Sequence, residues 1–505
     1  MTVPSKLYRP ALGLLTDFYE LTMAAAALRT GLAGKEAAFT VSFRHHPFHG
    51  GFTVAAGLEH VADLVESWRY DPEDLAFLAA QRGADGEPLF EPAFLRALET
   101  LRMDVDVDGV PEGTAVFPGE PVLRVTGPVL PSFLLESAIL AIVNFQTLVA
   151  TKAARVVLAA RGEPVLEFGL RRAQGLDGAL SASRAAYVGG CAATSNTLAA
   201  RLFGIPAKGT HAHSWVMLHG DEREAFEAYA RAMPGNCVFL VDTYASLAGV
   251  DHAIEAGRML RALGKDLVGI RLDSGDLAWL SIEARRRLDA AGFGQAAILG
   301  SNELDEHIIE SLKLQGATIS VWGVGTKLVT GAEDGALGGV YKLGAVRDGP
   351  DAPWQPRIKL SEQTAKVNVP GVLGVRRFAK DGEFVADVIH EASLGLPRPL
   401  VMVDPNDPTR RRELDVADGG RAADGKGGLV SEELLVPVFR RGQRVWQAPP
   451  LAESRARTAA QLARFHGGVK RFVNPHLYPV GLERHLHELR TRLVMEARGV
   501  AGLPG

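Results

Sequence analysis

Arg271-Leu272-Asp273-Ser274-Gly275-Asp276 ends an apolar run with one arginine and two carboxylates. On a strand, Arg271 and Asp273 are two residues apart and face the same side. Together they could hold an anion and face a developing cation, or they could form a self-contained salt bridge at a strand end. Glu167-Phe168-Gly169-Leu170-Arg171-Arg172 places an aromatic beside two arginines. Phe168 could stack a flat heterocycle while Arg171 clamps a phosphate, although Phe168 is equally acceptable as core. Lys208-Gly209-Thr210-His211-Ala212-His213-Ser214 carries histidines at i and i+2. No third histidine or cysteine in the same stretch completes a metal set, so a single catalytic or modified histidine is the better reading, with a core histidine as the plain alternative. Trp322-Gly323-Val324-Gly325-Thr326 and Gly300-Ser301-Asn302 each follow an apolar run. Their backbone N–H groups could wrap a phosphate ester, or they could be tight turns. No Walker A pattern is present, so nucleotide use of the P-loop kind is not expected. His45, His46 and His49 lie in a Gly- and Pro-containing loop, 44–52, that could cover a site or decorate a surface.

These clusters need elements to position them. From about Glu163 to Thr330, short apolar runs alternate with segments of helical length. Strands are expected at 164–168, 205–208, 238–241, 267–272, 296–299 and 318–321. Helices are expected at 184–203, 221–233, 250–263, 277–291 and 303–314. Such alternation with short connections indicates parallel β/α architecture, and about six uninterrupted repeats favour a barrel. The polar clusters EFGLRR, KGTHAHS, VDTY, RLDSGD, GSNE and WGVGT all fall just after these runs, at the edge where barrel active sites are built. Before this region, a helix is expected at 14–30, strands at 38–43 and 122–125, a turn at 116–121 and a long helix at 131–160. After Tyr341 the chain reads as loop-rich, with a charged, glycine-rich and mobile segment at 405–428 and helical periodicity at 451–464 and 482–498. The expected division is an N-terminal α/β domain over 1–145, a β/α barrel over 146–345 and a C-terminal segment over 346–505 packing on both.

The 505-residue length exceeds one ordinary core, and a formal net charge of −4 gives no bulk attraction for nucleic acid or an anionic membrane. Cys191 and Cys237 cannot build a disulfide framework or a structural zinc site, which fits a reducing compartment. The first ten residues lack a signal-peptide pattern, and the apolar stretch near 134–143 is short of the roughly 20 residues of a membrane helix. A cytoplasmic protein is expected.

Taken together, the clusters resemble the nicotinate phosphoribosyltransferase family. The likeness covers LLTDFYELTM, FPGEP, EFGLRRAQG, SASRAAYVGG, ATSN, GTHAHSW, VDTY, RLDSGDL, GSNELDE, WGVGTKLVT and LGGVYKL, in matching order over about residues 12–345. It continues more weakly in KLSE, VNVPG and NPHLYPVGL. The resemblance implies a type II phosphoribosyltransferase fold, an irregular (β/α) barrel with a second open α/β domain formed by the two chain ends. It implies an enzyme that makes nicotinate mononucleotide and pyrophosphate from nicotinate and phosphoribosyl pyrophosphate, the first step of NAD synthesis from nicotinate, coupled to ATP hydrolysis through a phosphohistidine. It also implies a homodimer with shared active sites.

Carried over by motif, Tyr19, otherwise an unremarkable helix-face aromatic, would come from the neighbouring subunit and stack on the pyridine ring opposite Phe168. Arg271 would pair with the nicotinate carboxylate, Thr210 would help hold that substrate, and Ser195 and Ser214 would join the substrate site. Gly323, Gly325 and Thr326, with Gly300 and Ser301, would hold phosphate, and Arg171 would address phosphate or substrate charge. His213 matches the autophosphorylated residue of the family, and His211 does not. Nicotinamide-using relatives carry an aspartate where this chain has Ser195. A carboxylate there would repel nicotinate, whereas a hydroxyl can donate to it. Asp273 is the candidate for stabilising a cationic transition state. Mg2+ is expected with the pyrophosphate and no all-protein metal site is assigned. The alternatives are a nicotinamide phosphoribosyltransferase and a non-catalytic pyridine nucleotide-binding barrel.

Overall fold

The computed structural model describes residues 11–360, 367–415 and 428–499. The chain forms two compact units, one from 1–147, 337–450 and 460–505, the other from 148–336 and 451–459.

The second unit carries a parallel sheet of β1 (Val165–Glu167), β2 (Ala193–Thr194), β3 (Val238–Leu240), β4 (Gly269–Leu272), β5 (Ala297–Asn302) and β6 (Val321–Val324), in the order β2-β1-β6-β5-β4-β3. The last strand pairs with the first, Val324 opposite Glu167, as in a ring rather than an open doubly wound sheet. Around that ring every neighbour pairs except at one place. Beyond β2, Thr194 bridges Ala207, but no ladder joins that segment to β3 among the described residues. The barrel is therefore irregular, with one break.

Helices follow the strands: α1 (Gly175–Val188), α2 (Thr197–Phe203), α3 (His213–Met217), α4 (Glu222–Ala232), α5 (Ser246–Ala262), α6 (Leu277–Ala290), α7 (Glu306–Leu314) and the single turn α8 (Thr326–Val329). Four of them start on a capping side chain. Asn196, Asp221, Asp276 and Asp305 accept from the backbone N–H three residues on, at 3.2, 2.7, 3.0 and 2.8 Å. Each cap satisfies an N–H that the first helical turn leaves without an intrahelical partner.

Several expectations require correction. The helix expected at 184–203 is two helices, because Gly189 abuts the Ala150 carbonyl, Gly190 takes φ +120°, and the intervening Ala193–Thr194 joins the sheet. The strand expected at 205–208 shrinks to the single bridge at Ala207. Strands β5 and β6 run three residues further than the apolar pattern suggested, so Gly300, Ser301 and Gly323 lie inside strands rather than in loops after them. Glycine at 323 leaves room for the Phe168 ring, which an added Cβ would meet at 2.8 Å; at Gly300 it would meet Ile319 at 2.7 Å.

In the first unit, a seven-stranded sheet and a six-stranded sheet pair mostly antiparallel. Glu36–Ser42, an inner strand of the larger sheet, pairs with both Leu123–Pro128 and Val340–Arg347. The smaller sheet includes Arg411–Leu414 hydrogen-bonded to Leu400–Val403, so part of the expected 405–428 loop is strand; positions 416–427 lie outside the described residues. The KLSE motif also runs partly outside them. The 44–52 segment is part buried and part exposed: Pro47, Phe48 and Phe52 are buried, His45 and His49 are exposed, and His46 hydrogen-bonds Thr53 at 2.8 Å with its pKa pushed down to about 3 by burial. The helix expected at 131–160 is two, Val129–Leu134 and Glu136–Ala160. The latter, at 25 residues, is long and apolar enough to cross a membrane, contrary to the short stretch expected, but 67% of its most apolar window is buried in the protein. Cys191 and Cys237 are buried free thiols.

Candidate active site

The C-terminal ends of the parallel strands bring the polar clusters to one edge. Arg271, the third residue of β4, is the hub. Its Nε donates to Ser301 Oγ on β5 at 2.7 Å and its Nη2 to Asp273 Oδ1 at 2.9 Å, while Nη1 points to Thr210 Oγ1 at a long 3.4 Å. The Arg271 guanidinium lies 5.5 Å from the centre of the Phe168 ring, within cation–π range. Arg271 and Asp273 thus share a side, as their spacing requires, and they do form an ion pair. That pair leaves one guanidinium edge, Nη1, only weakly engaged.

Asp273 also accepts from Ser301 Oγ, and its Oδ2 lies 3.9 Å from His213 Nε2. The other ring nitrogen of His213 meets the Thr243 hydroxyl at 3.2 Å. Asp242, in VDTY after β3, fixes the turn that follows Asp273: its Oδ2 accepts from Asp273 N at 2.9 Å and from Ser274 Oγ at 2.6 Å. Among the described residues, its Oδ1 is buried with no hydrogen-bond partner. Sequence reasoning did not single out Asp242. The signal was available, because it follows a strand in the same position as the other polar clusters.

Phe168 is held on its other side by β6. Its N–H donates to Val324 O at 2.8 Å, and its ring fills the space beside Gly323. Gly325, next to the Phe168 carbonyl, leads into α8, where the Thr326 hydroxyl donates to Glu303 at 3.2 Å. Lys327 pairs with Asp305, the cap of α7, and so cross-links the loops after β5 and β6, while buried Glu306 pairs with Lys152 and Arg155 of the helix Glu136–Ala160; sequence reasoning missed both. Behind Phe168, buried Glu167 accepts from Gly169 N, Ser183 and Thr194, which sets the turn carrying the aromatic.

Phe168, Thr210, His213, Arg271, Asp273 and Ser301 are therefore linked by direct contacts, and Gly323, Gly325 and Thr326 adjoin Phe168 along β6 and the start of α8. Gly300 adjoins Ser301 in β5. Ser195 is half-buried, its N–H donating to Glu167 O at 2.9 Å. Ser214 is exposed on α3, and Arg171 is exposed on a 3-10 turn. Tyr19 belongs to the other unit, on the helix Phe18–Arg29, and is 45% exposed. Among the described residues, no three His, Cys, Asp or Glu side chains form a metal-holding group.

An aromatic ring, an arginine and two carboxylates at the strand ends of an irregular β/α barrel have the make-up of an α/β enzyme site that could hold a flat, charged substrate. The chain matches the nicotinate phosphoribosyltransferase N-terminal domain over 14–144, the nicotinate phosphoribosyltransferase family over 164–347 and the corresponding C-terminal domain over 374–490. It is 37% identical over 503 residues to the nicotinate phosphoribosyltransferase of Bacillus subtilis, covering 96% of this chain and 97% of that protein. Against a nicotinate phosphoribosyltransferase of Mycobacterium tuberculosis it is 42% identical over 412 residues, covering 81% and 85%. The crystal structure of human nicotinic acid phosphoribosyltransferase superposes with a TM-score of 0.81 at 33% identity, covering 95% of this chain and 99% of that one. A nicotinate-nucleotide pyrophosphorylase structure from Pyrococcus furiosus shares the fold, with a TM-score of 0.66 at 23% identity over 92% and 97% of the chains. The chain belongs to the nicotinate phosphoribosyltransferase family.

Proposed function

We propose that the strand-end site joins nicotinate to the phosphoribosyl group of phosphoribosyl pyrophosphate, with Arg271 reading the nicotinate carboxylate. The chain is an enzyme, and its reaction yields nicotinate mononucleotide and pyrophosphate. The observation that carries the residue assignment is Arg271 itself. Ser301 and Asp273 fix two of its nitrogens, Nη1 remains for a charge-assisted contact with a carboxylate, and the Phe168 ring lies alongside to receive the pyridine. Thr210 beside Nη1 adds a hydroxyl to the same carboxylate, and Ser195 contributes a donor where a carboxylate would repel nicotinate.

In the reaction, the bond from the anomeric carbon to the pyrophosphate oxygen breaks as the pyridine nitrogen attacks that carbon. Positive charge develops on the ribose and then rests on the pyridinium. Asp273, held in place by Arg271 and Ser301, faces that charge. Gly323, Gly325, Thr326, Gly300 and Ser301 are assigned to the ribose phosphate, Arg171 to phosphate or substrate charge, and Ser214 to the substrate. The orphaned Asp242 oxygen beside Asp273 suits a hard cation, so these two carboxylates would meet magnesium carried by the pyrophosphate, which would offset its charge as it leaves.

ATP is proposed as co-substrate, phosphorylating His213: a nitrogen–phosphorus bond forms and ADP leaves. The modification adds roughly −1.5 to −2 charge beside Asp273 and the loops of the mouth. The acting form is proposed to be a homodimer in which Tyr19 of a second protomer covers the face of the pyridine opposite Phe168. Leu15, Phe18, Tyr19 and Met23, exposed at 51, 47, 45 and 37%, support this reading as an apolar stripe around one helix start. A cytoplasmic location is proposed with it. Pyrophosphate release from nicotinate and phosphoribosyl pyrophosphate, with and without ATP, tests the assignment. Release that requires nicotinate and rises with ATP supports it, and no nicotinate-dependent release would remove it.

A further inference from the structure

The barrel ring has one break, between the segment after Ala207 and the edge strand β3. Two of the proposed functional side chains, Thr210 and His213, are carried by that unpaired segment. An edge strand leaves backbone N–H groups without partners, and buried ones require an acceptor. In β3, Leu240 is 1% exposed, and its N–H donates to the Nε2 of His211 at 3.2 Å. The His211 ring takes the place that a strand carbonyl would fill in a closed ring.

The chemistry of the ring is fixed by its partners. Nε2 accepts, so the proton of the neutral imidazole sits on Nδ1, which faces Ala212 O at 3.3 Å. The ring is buried among Phe226, Tyr229 and Phe239, with centroids at 5.8, 5.1 and 6.2 Å. Burial first, opposed by the Ala212 carbonyl and helped by the charge of Arg271, lowers its pKa and favours the neutral ring that an acceptor must be. Little else ties the segment down. Lys208 N donates to Thr194 O at its start, and Asn236 reaches Gly209 O at 3.4 Å. From there to the start of α3, His211 is the side chain that anchors it to β3.

We infer that His211 is a positioning residue, whose imidazole spans the break in the strand ring and so sets Thr210 against Arg271 and His213 against Asp273. The inference rests on the substrate and phosphohistidine roles proposed above for those two residues. It explains why a second histidine stands two places before His213 without facing the substrate. The inward ring at 211 and the outward side chains at 210 and 213 follow from one anchored turn.

Three variants of the full-length enzyme test it. His211→Phe keeps the aromatic packing and removes the acceptor. His211→Gln keeps an acceptor near the Nε2 position, and His211→Asn places its amide too short to reach Leu240. Losing one buried hydrogen bond predicts that His211→Phe and His211→Asn raise the nicotinate KM about tenfold, with the KM for phosphoribosyl pyrophosphate changed less than about twofold. His211→Gln restores most of that loss. Labelling from γ-labelled ATP is expected to fall in the same order, with His213→Ala as the blank. Equal nicotinate KM in wild type, His211→Phe and His211→Asn would overturn the inference, as would a Gln variant no better than Asn. If Phe does not fold, the Gln–Asn comparison decides. A wild type that takes up no label refutes the phosphohistidine reading instead, and the nicotinate KM series then decides the role of His211 alone.

Discussion

At the scale of residues, the chemistry was legible wherever it obeyed strand geometry. Arg271 and Asp273 at i and i+2 could be placed on one side from spacing alone, and the 2.9 Å contact follows from it. Which of two histidines faces outward could not be read that way. His211 and His213 share a spacing, but the break in the ring turns one inward, and the break depends on which strands pair. Asp242 escaped notice because VDTY gives it no second charge nearby in sequence, and its partners, Asp273 N and Ser274 Oγ, lie after the next strand. The prediction at this scale concerns His213. His213→Ala is expected to abolish ATP stimulation of turnover while leaving slower ATP-independent synthesis. Full stimulation in that variant would show that ATP acts elsewhere.

At the scale of elements, the helices expected at 221–233, 250–263, 277–291 and 303–314 were legible from period, whereas strand ends and the helix breaks near 135 and 189–196 were not. Glycine at 300 and 323 reads as loop in a sequence, yet both stand in strands because neighbouring side chains occupy the missing Cβ space. Gly323→Ala puts a methyl against the Phe168 ring. Overpacking of about 1–3 kcal/mol at that contact predicts roughly a tenfold rise in nicotinate KM, with the melting temperature lowered by a few degrees. An unchanged nicotinate KM would separate Phe168 from the pyridine.

A second element-scale prediction concerns FPGEP, read only as a turn. Its Glu120 is buried, accepts from Phe117 N at 2.9 Å and lies beside Asp387, which also binds Arg377 and Tyr478. Burial first, then the Asp387 charge, hold the Glu120 pKa well above its ordinary 4.5, so the folded protein retains a proton that the unfolded chain releases. That contribution to stability is complete below 4.5 and is lost as the pH rises from there through the raised value. Glu120→Gln supplies a permanent donor to Asp387. It should melt within about 2 °C of the wild type below pH 4.5 and lose less stability than the wild type as the pH rises from there. A much earlier melt with the same pH slope as the wild type would mean that Glu120 is ionised in the fold.

For the whole molecule, the barrel region was legible because its strand–helix repeats are local in sequence. The first unit was not, because its sheets join distant segments. Glu36–Ser42 pairs with Val340–Arg347 some three hundred residues on, and no local pattern marks such a partner. The proposed shared site makes a prediction at this scale. Tyr19→Ala and Arg271→Ala are each expected to be nearly inactive. Dissociating, mixing and reassociating equal amounts should then restore about a quarter of wild-type activity, since half the dimers are hybrids with one intact site in two. No recovery on mixing would place each site within a single chain.

The account depends most on Arg271 as the reader of the acceptor carboxylate. The direct measurement is kcat/KM of wild type and Arg271→Ala with nicotinate and, separately, nicotinamide. A lost charge-assisted contact of about 1.5–3 kcal/mol predicts that the variant loses roughly ten- to a hundredfold more activity with nicotinate than with nicotinamide. Equal losses for the two acceptors would contradict it.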